Sequence, residues 1–363
     1  MTGLRDRIAA HIRAAGPITF AEYMTMALYD PDGGFYLRPP VGVDGAFVTS
    51  PHVSPAFGML LARQIEGMWD GLGRPGEYVV TEVGAGDGTL AAQIRGAASA
   101  DFAPALRYRA VEISAGARDA LRRAGFDAAA SLTECAPAAA GCILAHELLD
   151  NLPFHRLRGR GERIAEVFVD VRDGGLIQVE AQATEEAVSW LRAPLRDGEE
   201  RPVSPASLRF LHAAAGVLDR GHVLVYDYGF GSGERAQPVR AYEGQRVHDR
   251  LYDDPGAADV TAGVDFGALA AEATALGLRV HGPATQRDVL RALGFDDWFD
   301  DLRARRRDAE AARDSKAIIR LLSEQSRAPL LIDAAQLGAH LVLAAAIGEA
   351  AGTPPGFAPV AGA

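Results

Sequence analysis

The stretch Tyr78-Val-Val-Thr-Glu-Val-Gly-Ala-Gly-Asp-Gly-Thr-Leu90 decides the fold. Its first half is apolar and reads as a buried strand ending at Glu82-Val83. A turn follows with glycines at 84, 86 and 88, and a helix starts at Thr89. Closely spaced glycines let the backbone approach a ligand where a side chain would clash. Further on, Arg107-Tyr-Arg-Ala-Val-Glu-Ile113 reads as a second strand carrying the carboxylate Glu112 at its end. A glycine turn after one strand and an acid after the next make a nucleoside site, the acid accepting from ribose hydroxyls.

The spacing discriminates between nucleoside cofactors. The dinucleotide fingerprint G-x-G-x-x-G/A places a small residue where this chain has Thr89, which speaks against a nicotinamide oxidoreductase. Here the glycines alternate, as E-x-G-x-G-x-G. That variant resembles the first motif of class I S-adenosyl-L-methionine methyltransferases. The resemblance implies a cofactor site built from Glu82, Gly84, Ala85, Gly86, Gly88, Thr89, Glu112 and Ile113.

Working outward, residues 4–15 and 19–29 read as helices, with Thr19 placed to cap the second. Phe47, Thr49 and Ser50 lie on a loop before a helix over 57–69 and can close over a cofactor. Strands are expected near 78–83, 107–113, 126–132, 141–145, 222–226, 278–282 and 340–344, with helices between them. Residues 163–180 interrupt the alternation as a β-hairpin. One long Arg-rich helix is expected over 298–323, and the Ala/Gly/Pro tail from Gly352 is expected to fray.

The fold class is therefore α/β: a doubly wound, Rossmann-like seven-stranded sheet with an N-terminal helical segment and a β-hairpin insertion. The expected division is a helical or lid region over 1–75, the main domain over 76–350 with its insertion near 154–203, and a tail over 351–363.

Composition narrows the function classes. The 363 residues carry a formal net charge of -11, which argues against a nucleic-acid surface. No apolar run approaches the roughly 18 residues of a membrane span. Cys135 and Cys142 lack metal-ligand spacing and read as buried thiols in a reducing compartment. With no signal-peptide or transit pattern at the N-terminus, a cytoplasmic location is expected. A homodimer is compatible with everything the sequence contains.

Several further blocks stand in order along the chain: Ile18-Thr-Phe-Ala-Glu-Tyr-Met24, Gly33-Gly-Phe-Tyr36, Gly45-Ala-Phe-Val-Thr-Ser-Pro51, His146-Glu-Leu-Leu-Asp-Asn-Leu-Pro153, Val225-Tyr-Asp-Tyr-Gly229, Arg240-Ala-Tyr242, Asp259-Val-Thr-Ala-Gly-Val-Asp-Phe266 and Thr285-Gln286. On these the chain resembles the MidA family of class I methyltransferases, related to the mitochondrial complex I assembly factor NDUFAF-seven, over about 18–348. The resemblance implies S-adenosyl-L-methionine as methyl donor and a protein arginine as acceptor. It also marks departures. His146 stands where the family has Asn, His52 where it has Glu, and Leu337-Gly-Ala-His340 where it has Met-Gly-x-x-Phe-Lys.

A sulfonium donor is already activated, so the protein has to align and desolvate the reactants. A guanidinium acceptor also needs carboxylates that grip it in a bidentate way. Glu147 and Asp150, just after the fourth strand, suit that role, and both acids also suit local capping. His146 can act as a general base or as a packed strand-end residue. Asp227 and Tyr228 end the fifth core strand, where this fold places substrate contacts; a satisfied turn explains Asp227 equally well. Asp259 and Asp265 suit either the site or local caps. Two other readings stay open: a small-molecule nitrogen or oxygen acceptor, and an assembly factor that binds the cofactor without turnover.

Overall fold

The computed structural model describes residues 3–37, 49–244, 246–350 and 352–357. Within them the central sheet has seven strands: β1 Tyr78–Val83, β2 Leu106–Val111, β3 Asp127–Ala129, β4 Gly141–His146, β5 Gly221–Asp227, β6 Arg279–Thr285 and β7 Leu341–Ile347. Their spatial order is β6-β7-β5-β4-β1-β2-β3. The first five run parallel, and β7 is antiparallel to both β5 and β6. Every residue of β4 and β5 is buried, as expected where helices cover both faces of a parallel sheet.

Strand alternation divides those side chains between two cores. Tyr78, Val80, Cys142, Leu144, Leu224 and Tyr226 face one side, packed against Phe57, Leu60 and Leu61 of helix Ala56–Gly71. Val79, Ile143, Ala145, Val223 and Val225 face the other, against Leu211 of helix Pro205–Gly216 and Leu269 of helix Phe266–Ala275. Cys135 and Cys142 are both free and buried, and burial pushes the Cys142 thiol up to about 12.

The register sets the level of the functional end. Val83 pairs with Val111 on one side and Ala145 on the other, and Tyr226 pairs with His146. The carboxyl ends of β1, β2, β4 and β5 therefore finish along one rim, bringing four separate turns together.

The expected hairpin insertion is the middle of a larger sheet. Arg163–Arg172 and Gly175–Gln182 form the hairpin. His155–Arg160 and Glu200–Val203 extend it, and Ile18–Thr19 from the N-terminal segment adds a fifth strand. A lone hairpin cannot bury an apolar face. Here Leu4, Ile8, Phe20, Tyr23 and Met24, from the two N-terminal helices, cluster with Val169 and Leu176 of the hairpin. Thr19 caps the second of these helices through a reciprocal box with Glu22. Over the rim lies a small three-stranded sheet, Arg246–His248, Arg240–Glu243 and Asp259–Thr261.

Two local expectations are corrected. The Arg-rich segment is two helices, Phe295–Ala311 and Ser315–Arg327. The chain reverses at Arg313, whose φ is 54°, and Asp314 caps the second helix by accepting from Ala317 N. Residues 352–357 of the expected tail are held in place: Gln64 Nε2 donates to Pro355 O, and Phe357 packs against the core.

Candidate active site

Gly84, Gly86 and Gly88 all have positive φ, at 78°, 54° and 80°, a region that L side chains avoid. Their surroundings differ. A Cβ on Gly84 would lie 2.9 Å from Leu148 Cδ1, and one on Gly88 would lie 2.7 Å from Leu121 Cδ2. A Cβ on Gly86 would meet nothing. Gly84 and Gly88 thus make room for protein, whereas Gly86 faces open space. Gly84 N and Ala85 N both donate to Val111 O, tying the turn to β2. Asp87 Oδ1 accepts from Thr89 N at the start of helix Thr89–Ala97.

Glu112 closes the other side of this turn. Its Oε2 accepts from Gly86 N at 3.0 Å and its Oε1 from Ser114 N at 2.9 Å. A carboxylate has about four acceptor positions, so two remain for ribose hydroxyls. Ile113 beside it is 47% exposed, an apolar surface that suits a purine ring. Arg118 Nη1 donates to Glu112 O and Ile113 O and pins this corner. The turn, the acid and the apolar neighbour fit the cofactor expected from the sequence.

Glu82 does not join them. It is 4% exposed, lies beneath the turn and accepts from the Tyr108 hydroxyl at 2.8 Å. Burial pushes its carboxyl up to about 8, against the lowering effect of the Tyr108 bond.

The segment before helix Ala56–Gly71 touches both halves of the site; of the residues expected there, Phe47 lies outside the described residues. Ser50 N donates to Glu147 Oε1 at 3.2 Å, and Ser50 Oγ reaches Gln286 Oε1 at 3.4 Å. Thr49 Oγ1 lies 2.8 Å from His52 Nδ1, and His52 Nε2 lies 3.0 Å from Asp87 Oδ2. The Asp87 bond raises the His52 imidazole above its usual range. Burial alone would raise the Asp87 carboxyl, but its bonds to His52 and Thr89 hold it below.

The turn after β4 is the acidic wall. Glu147 has φ 49°, a left-handed conformation rare for its type. Its amide donates to Tyr226 O, and its Oε1 lies 3.2 Å from His146 Nε2. That contact is an ion-pair distance without hydrogen-bond alignment, so His146 Nε2 has no hydrogen-bond partner. Burial works to raise the Glu147 carboxyl, yet His146, His340 and Ser50 N keep it below its ordinary value. The His146 ring packs 4.8 Å from Phe57.

Asp150 Oδ2 accepts from the Thr261 hydroxyl at 2.7 Å, while its Oδ1 has no partner. Burial, with Glu147 adding to it, pushes this carboxyl up to about 6. Asp227 is fully buried and accepts from the amides of Leu148, Leu149 and Tyr228. Its position is that of the satisfied turn residue. Burial first, then Asp150, drives its carboxyl well above the usual range. Tyr228 is half-buried, with its ring 6.4 Å from His340.

Residues not singled out in the sequence also come to this wall. Tyr36 hydrogen-bonds to the buried Asp259, Tyr242 pairs with Asp259 across the small sheet, and Tyr29 donates to Asn151 O. Their signal was present in the blocks Gly33–Tyr36 and Arg240–Tyr242, but no spacing rule connects them to the β4 turn. Asp265 is not part of the wall: it caps helix Phe266–Ala275 by accepting from Ala268 N.

Residues 60–284 match the model of the family described as "Putative S-adenosyl-L-methionine-dependent methyltransferase". The protein arginine methyltransferase NDUFAF7 homolog of Drosophila melanogaster, a mitochondrial protein, is 30% identical over 92% of this chain and 82% of its own length. Its namesake in Danio rerio is also 30% identical, over 80% of this chain and 76% of its own. Among solved structures, a Burkholderia thailandensis protein bound to S-adenosyl-homocysteine superposes with a TM-score of 0.81. It covers 98% of this chain and 94% of its own at 24% identity, a likeness of fold. The match covers more than half of the chain, and the chain belongs to the S-adenosyl-L-methionine-dependent methyltransferases.

Proposed function

We propose that this enzyme methylates a guanidinium nitrogen of arginine in a protein substrate. The observation that carries the reading is the contact between two turns. Leu148, flanked by Glu147 and Leu149, packs where a Cβ on Gly84 would stand, so the acidic wall abuts the cofactor turn. The named relatives are protein arginine methyltransferases, which supports the same acceptor.

In this reading Gly86, Glu112 and Ile113 hold the cofactor, with Ala85, Gly84, Gly88 and Thr89 shaping the turn. Bound S-adenosyl-L-methionine supplies a methyl group on a sulfonium. Glu147 and Asp150 orient the acceptor and hold its positive charge. The segment with Thr49 and Ser50 keeps water from the contact between the two turns. As the new nitrogen–carbon bond forms, that nitrogen gives up one proton. In this reading His146 Nε2, which has no hydrogen-bond partner of its own, takes that proton. Asp227 sets the turn, and Tyr228 borders the entrance.

The test is incubation of the full chain with methyl-labelled S-adenosyl-L-methionine and cell extract, followed by mass spectrometry. Label on arginine of a polypeptide supports the reading. Label on a small metabolite alone would overturn the acceptor and leave the methyltransferase. No helix among the described residues is long and apolar enough to cross a membrane. We infer a cytoplasmic enzyme from cysteine usage, although the named relatives are mitochondrial. Fractionation of source cells decides between the compartments.

A further inference from the structure

Strand Asp259–Thr261 crosses above the β4 turn. Residues two apart on a strand share a face, so Asp259 and Thr261 point the same way. Thr261 donates its hydroxyl to Asp150 Oδ2 at 2.7 Å, and Ala262 N donates to Asp150 O. Asp259 lies near enough for the Asp150 charge to act on its carboxyl. Asp259 is 2% exposed. Tyr36 bonds to its side chain, yet Asp259 Oδ1 has no partner. Asp150 Oδ1 likewise receives no hydrogen bond, and the carboxyl that meets the Asp150 side chain is that of Asp227. A buried carboxylate and a half-buried one within electrostatic reach of it, each with an acceptor oxygen that no donor reaches, are costly unless a cation completes them.

The surroundings suit a flat cation. Tyr36 stacks on Tyr29 with ring centroids 5.6 Å apart and an interplanar angle of 22°. Tyr242, the cross-strand partner of Asp259, and Tyr228 are half-buried. A lysine ammonium is a compact charge with donors on one atom. A guanidinium spreads five donors over a plane and can serve two carboxylates from different elements at once.

Building on the arginine reading above, we propose that Asp259 is a second carboxylate of the acceptor subsite and, with Asp150, selects a guanidinium over an ammonium. Asp259 forms the floor and Asp150 the wall. Burial and the Asp150 charge push the Asp259 carboxyl well above its ordinary range, a condition that a bound cation relieves.

The test is direct binding to the full chain saturated with S-adenosylhomocysteine, using methylguanidine and methylammonium as probes. The expected result is methylguanidine binding about tenfold or more tighter than methylammonium. In Asp259→Asn, methylguanidine should weaken by about tenfold while S-adenosylhomocysteine affinity is unchanged. Equal affinity for the two probes in wild type, or an unchanged methylguanidine affinity in Asp259→Asn, overturns the proposal. If Asp259→Asn does not bind S-adenosylhomocysteine, Tyr36→Phe replaces it; it should weaken methylguanidine several-fold, and no change sinks the proposal. Turnover on an arginine peptide is scored separately. Guanidinium preference without turnover removes the activity and keeps the subsite; turnover without that preference removes the subsite.

Discussion

His52 Nε2 stands 3.0 Å from Asp87 Oδ2, joining the segment that holds Ser50 to the turn that holds Gly86. The His52 side chain is 8% exposed and that of Asp87 is 35%, so the pair sits at the edge of solvent. Through Ser50 N and Glu147 Oε1 the same segment also reaches the acidic wall. The glycine turn, the segment holding Ser50 and the acidic wall are thereby one connected unit.

That connection has a pH signature. The His52 imidazole titrates above its ordinary 6.5 in the folded chain, so its contribution is complete below 6.5 and fades as pH rises through the raised value. The Asp87 carboxyl titrates below 3.8, so its contribution is complete above 3.8 and fades as pH falls through the lowered value. The clasp is strongest between those limits. His52→Ala should lower stability by about 1 kcal/mol near pH 6, screened as for any partly exposed pair, and by less at pH 9. Thermal melts of both proteins at the two pH values check this; an equal loss at both refutes the charged clasp.

In the proposed reading Glu112 holds the ribose, and removing it should remove the cofactor. Glu112→Ala deletes the acceptor for Gly86 N and Ser114 N together with its two open positions. A loss of about 100-fold or more in S-adenosylhomocysteine affinity is expected by calorimetry, equivalent to two charge-assisted bonds. Affinity within threefold of wild type counts against the site.

The glycines should separate stability from binding. Gly84→Ala combines a left-handed φ with a 2.9 Å approach to Leu148, and is expected to cost about 2–4 kcal/mol of stability. Gly86→Ala has the φ strain alone, about 1–2 kcal/mol, because its Cβ meets nothing. It should nonetheless weaken cofactor binding more than its stability loss implies. Melting curves paired with calorimetry read both effects.

Glu82 gives a prediction of opposite sign to that of an ion-paired acid. Its carboxyl is raised from 4.5 to about 8, so the folded chain holds a proton that the unfolded chain has lost between those values. Stability from this group therefore falls as pH rises from 4.5 to 8, by at most about 1.4 kcal/mol per pH unit. Glu82→Gln keeps an acceptor for Tyr108 and removes that slope. The variant should be more stable relative to wild type at pH 8 than at pH 5; the reverse trend in urea denaturation would show that Glu82 is ionised inside.

Much of this was legible because it is local. A strand, three alternating glycines and an acid after the next strand specify a tight turn with no long-range information, and in the structure Gly86 N donates to Glu112 Oε2 within it. Glu82 read as part of the same motif, but strand alternation turns it inward onto Tyr108. The helix break at Arg313 was written in Asp314-Ser315, a cap signal inside a long charged pattern. The fifth strand of the second sheet was not legible, because two residues, Ile18–Thr19, carry no periodicity.

The sequence by itself determined the class of fold, the nucleoside turn and the presence of acids after the fourth strand, since each depends on neighbours along the chain. Only the tertiary structure decided what those acids do. Asp227 is consumed by three backbone amides, while Asp150 and Asp259 each keep an oxygen that no donor reaches. The cost of a buried carboxylate depends on the donors that reach it, and for Asp150 and Asp259 these come from remote segments, through Thr261 and Tyr36.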